Sequence, residues 1–178
     1  MEKIGVLTAS AYERELSDKF SHLQACFADG HEEKNVHVSA RQYEVIESVR
    51  MPGLAGLTAL VVDDSEASRE VLAAMLSTLG MGHVHVASDG LEALHMLTCS
   101  TPPVDMVLCD WNMPEISGLE LLTQLRRSDK KMPFVMISGM VDSFSVASAA
   151  TAGASAYLAK PYSPGRLARV LAKVVADL

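Results

Sequence analysis

Aromatic side chains make up only 5% of this 178-residue chain, with a single tryptophan, Trp111. A core short of rings must be filled by Val, Leu, Ala and Met, the filling of parallel sheets covered on both faces by helices. Cysteine is scarce too. Cys26, Cys99 and Cys109 are odd in number and widely spaced, with no C-x-x-C pair, which excludes a disulfide framework and reads as reduced thiols. No apolar run approaches the ~18 residues of a membrane span, and the opening MEKIGVLTAS lacks the long apolar segment of a signal peptide. A cytoplasmic protein without membrane contact is expected. Positive charge is also in deficit: Lys and Arg number 15 against 22 Asp and Glu, a formal net charge of −7. Such a balance suits poorly the neutralisation of nucleic-acid phosphates, so no direct DNA binding is expected.

What is present is an alternation. From Leu57 onward, short apolar runs trade places with segments of helical period, the signature of βα units and a parallel sheet. Five units can be counted. LTALVV (57 to 62) precedes a helix with Leu72, Met75, Leu76 and Leu79 at i, i+3, i+4, i+7, Ser65 as N-cap and Gly80 as stop. HVHVA (83 to 87) is followed by Asp89 and Glu92 in capping-box spacing, and VDMVLC (104 to 109) by a second such pair, Ser117 and Glu120. PFVMIS (133 to 138) leads to an Ala-rich helix through Val146, Ala149 and Ala150 that Gly153 ends. AYLAK (156 to 160) runs into Pro161, and Ser163-Pro164 opens a last helix with Leu167, Val170, Leu171 and Val174 on one side.

Residues 1 to 56 follow another pattern. Ser10 and Glu13 form a capping-box pair, and Tyr12, Leu16, Phe20, Leu23 and Phe27 repeat at helical spacing until Asp29-Gly30. A shorter helix is expected from Ser39 to Arg50, before MPGLAG serves as a Pro/Gly linker. The expected organisation is an N-terminal helical extension over 1–56 and a second domain over 57–178. The apolar stripe has to bury on its own second helix, on the neighbouring domain or on another copy of the chain, because an isolated helix of this length is marginal in water. Docking or homodimer formation is the expectation, with a disordered leader as the alternative. Six basic against nine acidic residues in this segment argue against a DNA-binding role.

In an open parallel α/β sheet, ligands bind beyond the carboxyl ends of the strands. Asp63 and Asp64 close the first run, Asp110 the third, Ser138 the fourth and Lys160 the fifth. Each alone has an ordinary explanation: a helix cap, a loop acid before a proline turn, a surface lysine. As a set they bring three carboxylates, a hydroxyl and an ammonium to one edge. Three close carboxylates repel unless a cation joins them, and oxygen donors favour a hard ion such as Mg²⁺, which keeps room for phosphate oxygens. Aspartate can serve as a nucleophile toward phosphorus while metal and lysine neutralise the transferring oxygens.

The motifs VVDDS, DWNMP, ISG and KP carry a resemblance: residues 57 to 178 are similar to the receiver domains of bacterial two-component response regulators, the single-domain chemotaxis receivers above all. The resemblance implies a flavodoxin-like fold, a five-stranded parallel sheet in the order 2-1-3-4-5 flanked by helices. It implies a role for each matching position. Asp110 is the phosphoacceptor and Asp64 the direct metal ligand, Asp63 acts through a metal-bound water, and the backbone carbonyl of Asn112 is a further ligand. Lys160 pairs with the phosphoryl group, Ser138 is the switch hydroxyl and Tyr157 the switch aromatic. Serine at 138, where the family often has threonine, keeps the hydroxyl and drops a methyl. Met140 is apolar where a water-orienting polar side chain could have stood.

The expected function is a receiver that takes a phosphoryl group from a histidine kinase onto Asp110 with Mg²⁺ and changes a surface read by a downstream protein partner. It would catalyse its own phosphorylation and dephosphorylation yet act primarily as a switch. A receiver-like interaction module that works without phosphorylation is the alternative. A phosphatase of the haloacid dehalogenase type is a third reading, disfavoured because its D-x-D core needs an acid where Asn112 stands. His83 and His85 alternate along one strand with no third ligand in view, so edge polarity is expected of them rather than metal binding.

Overall fold

The computed structural model describes residues 50–140 and 142–177. The two N-terminal helices expected before residue 50, with Cys26, lie outside the described residues. The elements are β1 (Thr58–Val62), α1 (Glu66–Thr78), β2 (His83–Ala87), α2 (Gly90–Cys99), β3 (Met106–Asp110), α3 (Gly118–Ser128), β4 (Phe134–Ser138), α4 (Ser143–Ala152), β5 (Ala156–Ala159) and α5 (Pro164–Ala176), after a 3₁₀ turn at Pro52–Leu54. All four strand pairings are parallel, and the order is β2-β1-β3-β4-β5. This is the flavodoxin-like receiver fold implied by the resemblance.

The central strands β1, β3 and β4 are buried at every residue, which is why they appear in the sequence as unbroken apolar runs. Side chains alternate between two cores, as the two-residue period of a strand requires. Ala59 and Val61 face a layer with Leu72 and Leu76 of α1 and Leu167 and Leu171 of α5. Leu60 and Val62 face the opposite layer, built from Ala93 of α2, Leu121, Leu122 and Leu125 of α3, and Ala149 of α4. Among the described residues no helix is long and apolar enough to cross a membrane.

Local signals mostly land where the spacing placed them. Ser65, Asp89, Ser117 and Ser163 are N-caps, and Gly80 and Gly153 take the left-handed conformation that ends α1 and α4. Ser117 and Glu120 form a complete capping box. At α2 only half of the box forms. Asp89 accepts from the Glu92 N–H at 2.8 Å, but the Glu92 carboxylate turns to Ser88, accepting its N–H at 2.7 Å and its hydroxyl at 2.8 Å. The serine one residue earlier offers two donors where Asp89 offers one.

Three expectations are corrected. In α4, Val146 and Ala150 are exposed and the inner face is Ser145 and Ala149, because an uncharged helix in which small apolar and hydroxyl residues are mixed all round carries little contrast that marks a face. Lys160 lies just beyond β5 rather than within it. The Pro/Gly segment before β1 is docked, not a free tether: Leu54 is completely buried, the Met51 N–H donates to the Leu79 carbonyl at 2.8 Å, and the Gly82 N–H donates to the Leu54 carbonyl at 3.1 Å. Gly82 leaves no space for a side chain, since a Cβ there would lie 2.5 Å from the Ala55 carbonyl oxygen.

Candidate functional site

β1 connects to β2 on one side while β3 lies on the other, so the strand order reverses between β1 and β3 and opens a crevice at their carboxyl ends. The acids stand there. Asp110 is the last paired residue of β3, opposite Ile137, and is 7% exposed. Asp63 follows β1 and is 5% exposed, whereas Asp64 and Asn112 face outward as exposed residues.

Two nearly buried carboxylates need a counter-charge. Lys160 supplies it, reaching Asp63 Oδ2 at 2.8 Å and also bonding Asp110 Oδ1. The other oxygens are held by main-chain donors: Asp63 Oδ1 accepts the Ser65 N–H at 2.9 Å and Asp110 Oδ2 accepts the Asn112 N–H at 2.7 Å. Each carboxylate oxygen thus has one protein donor and a spare lone pair. Partial burial pulls the Lys160 ammonium toward a lower pKa, but the hydrogen bonds and charges of Asp110 and Asp63 together outweigh it and leave it above the usual lysine value. Cys109, inward on β3, is pushed well above the ordinary thiol range, first by burial and then by the charges of Asp110 and Asp63. It is not a nucleophile here. Burial likewise raises the Tyr162 phenol.

Ser138 ends β4 fully buried. Its hydroxyl oxygen accepts the Met140 N–H at 3.0 Å, and its carbonyl accepts the Lys160 N–H at 2.7 Å. The Tyr157 hydroxyl donates to the Met140 carbonyl. One peptide segment, at Met140, therefore joins the Ser138 hydroxyl to the Tyr157 ring, while the Met140 side chain is 41% exposed. His83 and His85 sit on the edge strand β2, and the His85 ring meets the Pro102 carbonyl at 3.1 Å.

Two positions matter to the site beyond those marked by chemistry. Gly118, the first residue of α3, donates its N–H to the Trp111 carbonyl at 3.0 Å, and a Cβ on it would lie 2.2 Å from the Asp110 carbonyl oxygen. Its glycine was legible in the ISG motif, but its reason is this close approach. Arg69 of α1 donates to the Asp63 carbonyl at 2.7 Å, and no spacing in the sequence signals it.

The donor set fits a hard divalent ion. Among the described residues no three carboxylate, imidazole or thiol groups form an all-protein cage. Mg²⁺ does not require one, since it binds through one or two carboxylates and keeps waters and phosphate oxygens in its other positions.

Comparison with known proteins agrees with this geometry. The family model for the response regulator receiver domain matches residues 59–172. A chemotaxis protein CheY homolog of Campylobacter jejuni (strain 81-176) is 37% identical over 118 residues, covering 65% of this chain and 90% of that protein. Among solved structures, Vibrio cholerae CheY4 superposes with a TM-score of 0.62 at 29% identity, covering 66% of this chain and 98% of the other. A Borrelia burgdorferi CheY in complex with CheX, BeF3 and Mg²⁺ gives 0.61 at 28% identity, covering 67% and 87%.

Proposed function

This chain belongs to the response regulator receiver family, and from that membership and the site's geometry we propose that it is a phosphorylation switch in two-component signalling. The observation that carries the reading is Lys160, whose ammonium joins Asp63 and Asp110 at the strand-order reversal. Asp110 is the phosphoacceptor. One of its oxygens forms the bond to phosphorus as the bond to the donor breaks, giving an acyl phosphate, and the donor is a histidine kinase. Asp64, Asp110 and the Asn112 carbonyl would hold Mg²⁺, with Asp63 reaching it through water. When bound, the ion would neutralise charge on the transferring oxygens.

The chain's own groups do the rest. Lys160 moves from bridging two carboxylates to pairing with the new phosphoryl oxygens, so its charge is used in both states. Ser138 donates its hydroxyl to a phosphoryl oxygen. Because its oxygen also holds the Met140 N–H, and the Met140 carbonyl holds Tyr157, a shift of Ser138 is felt at the outer face of β4 and β5. A downstream protein would read that face. Residues 1 to 56 are an appendage to a receiver unit spanning 57 to 178, with Leu54 pinning the junction, and the setting is a bacterial cytoplasm.

The test is direct. The full chain incubated with acetyl phosphate and Mg²⁺ gains one phosphoryl group by intact mass, Asp110→Asn does not, and Trp111 fluorescence responds to Mg²⁺. A wild-type chain that gains no mass while its fluorescence ignores Mg²⁺ refutes the proposal.

A further inference from the structure

Helix α4 carries no charged residue, and its Phe144 side chain is 81% exposed. Between α4 and α3 runs an open groove of about 450 Å³, lined by Leu119, Thr123, Phe144, Ala147, Ser148 and Ala152. An exposed phenylalanine over an uncharged groove is a surface that asks for an apolar occupant. Arg126 holds the walls in place: its guanidinium donates to the Gly153 carbonyl at 2.9 and 3.1 Å and to the Met132 carbonyl at 2.8 Å, tying the end of α3 to the end of α4.

We propose that this groove receives the chain's own N-terminal segment, residues 10 to 29, through its stripe of Tyr12, Leu16, Phe20, Leu23 and Phe27. Three observations choose this occupant. The first is where the described chain begins. Arg50 and Met51 lie at the rim where the strands start, fixed by the bond from Met51 to Leu79. The groove runs from Leu119 and Phe144 at the helix starts to Thr151 and Ala152 at the end of α4, beside the Gly153 carbonyl that Arg126 clasps just before β5, so its far end reaches that same rim. The second is reach. With residues 39 to 49 helical, as their spacing suggests, and 31 to 38 extended, the tether spans up to about 45 Å, still beyond the breadth of a domain whose radius of gyration is about 14 Å. Tethering at that length keeps the segment at an effective concentration of the millimolar order. The third is charge. Residues 1 to 49 carry nine acidic against five basic residues, while exposed Arg127, Lys130 and Lys131 stand in the last turn of α3 and the loop that follows it, next to the Arg126 clasp. The stripe fits the apolar wall and its acidic flanks meet this basic end.

Occupancy of the groove by this segment does not depend on phosphate chemistry, and its test does not either. A benzophenone side chain at position 144 of the full chain, photolysed with equal amounts of isotopically heavy and light protein, should crosslink to residues 10 to 29 within one chain. The Leu16→Glu/Phe20→Glu variant should lose that crosslink and show amide exchange in residues 118–128 and 143–152 faster by roughly tenfold, equivalent to ~1.4 kcal/mol, with α1 and α5 unchanged. Mixed heavy–light crosslinks would mean that a second copy fills the groove, and would overturn the proposal. So would crosslinks that miss residues 10 to 29, or exchange indifferent to the double substitution.

Discussion

Replacing Gly118 by alanine tests whether the site is held by backbone packing as tight as the structure shows. The new methyl would lie 2.2 Å from the Asp110 carbonyl oxygen and 3.1 Å from both the Asp110 carbonyl carbon and Met136 Sδ, against 3.4 to 4 Å for ordinary contact. The obstruction cannot rotate away, because it is main chain, and that main chain is paired in β3 opposite Ile137. Either the start of α3 or the end of β3 has to retreat by about 1 Å. Overpacking of this kind costs typically 1 to 3 kcal/mol, and a rigid backbone partner places Gly118→Ala at the upper end, about 3 kcal/mol. For a domain of this size that lowers Tm by roughly 10 °C. The displaced carboxylate also slows acceptance of phosphate from acetyl phosphate, by up to about 100-fold for a 1 Å misplacement. Gly56→Ala is the control, since a Cβ there meets nothing within 4 Å, and it should stay within about 0.5 kcal/mol of wild type. Calorimetry or circular dichroism melts compare the two. If Gly118→Ala melts within the error of Gly56→Ala, the close approach is not real and the positioning of Asp110 by α3 is wrong.

Two further outcomes follow from packing and charge. Leu54→Ala should lower stability by about 2 to 5 kcal/mol in urea unfolding, as for a buried core leucine, whereas a residue in a free tether would change nothing measurable. The Glu120 carboxylate is held below its usual range by the Ser117 N–H and hydroxyl, and Glu92, Asp129 and Asp142 are lowered by comparable local bonds. A depressed folded-state pKa contributes stability above the unfolded value and loses it as pH falls through the folded one. Tm should therefore hold steady from about pH 8 to 6 and decline below about 4.5, with Glu120→Gln showing a shallower decline.

The sequence could show whatever depends on neighbours three or four residues apart. Caps at Ser65, Ser117 and Ser163, stops at Gly80 and Gly153, and the apolar faces of α1 and α5 are local matters of helical period and backbone conformation, and they stand where the spacing put them. Where two local partners compete, as Ser88 and Asp89 do for Glu92, spacing names the motif but not the winner. Where small apolar and hydroxyl residues are mixed on every side, as in the uncharged α4, period gives no face. Leu54 was hidden for the opposite reason: Pro and Gly around it mark a turn correctly, and a turn says nothing of what the leucine inside it touches.

The set of chemical groups at the strand ends was likewise in the sequence, because parallel strands present their carboxyl ends to one edge whatever their order. Their meeting was not. Lys160 lies 97 residues from Asp63 and 50 from Asp110 in the chain, and only the order β2-β1-β3-β4-β5 carries it to both. Nor could the chain by itself show that the main chain of one residue, Met140, lies between Ser138 and Tyr157, or that a glycine at 118 is demanded by the carbonyl of Asp110. Contacts of that kind arise when rigid elements are pressed together at atomic distance, and no residue pattern along a line encodes the gap that remains between them.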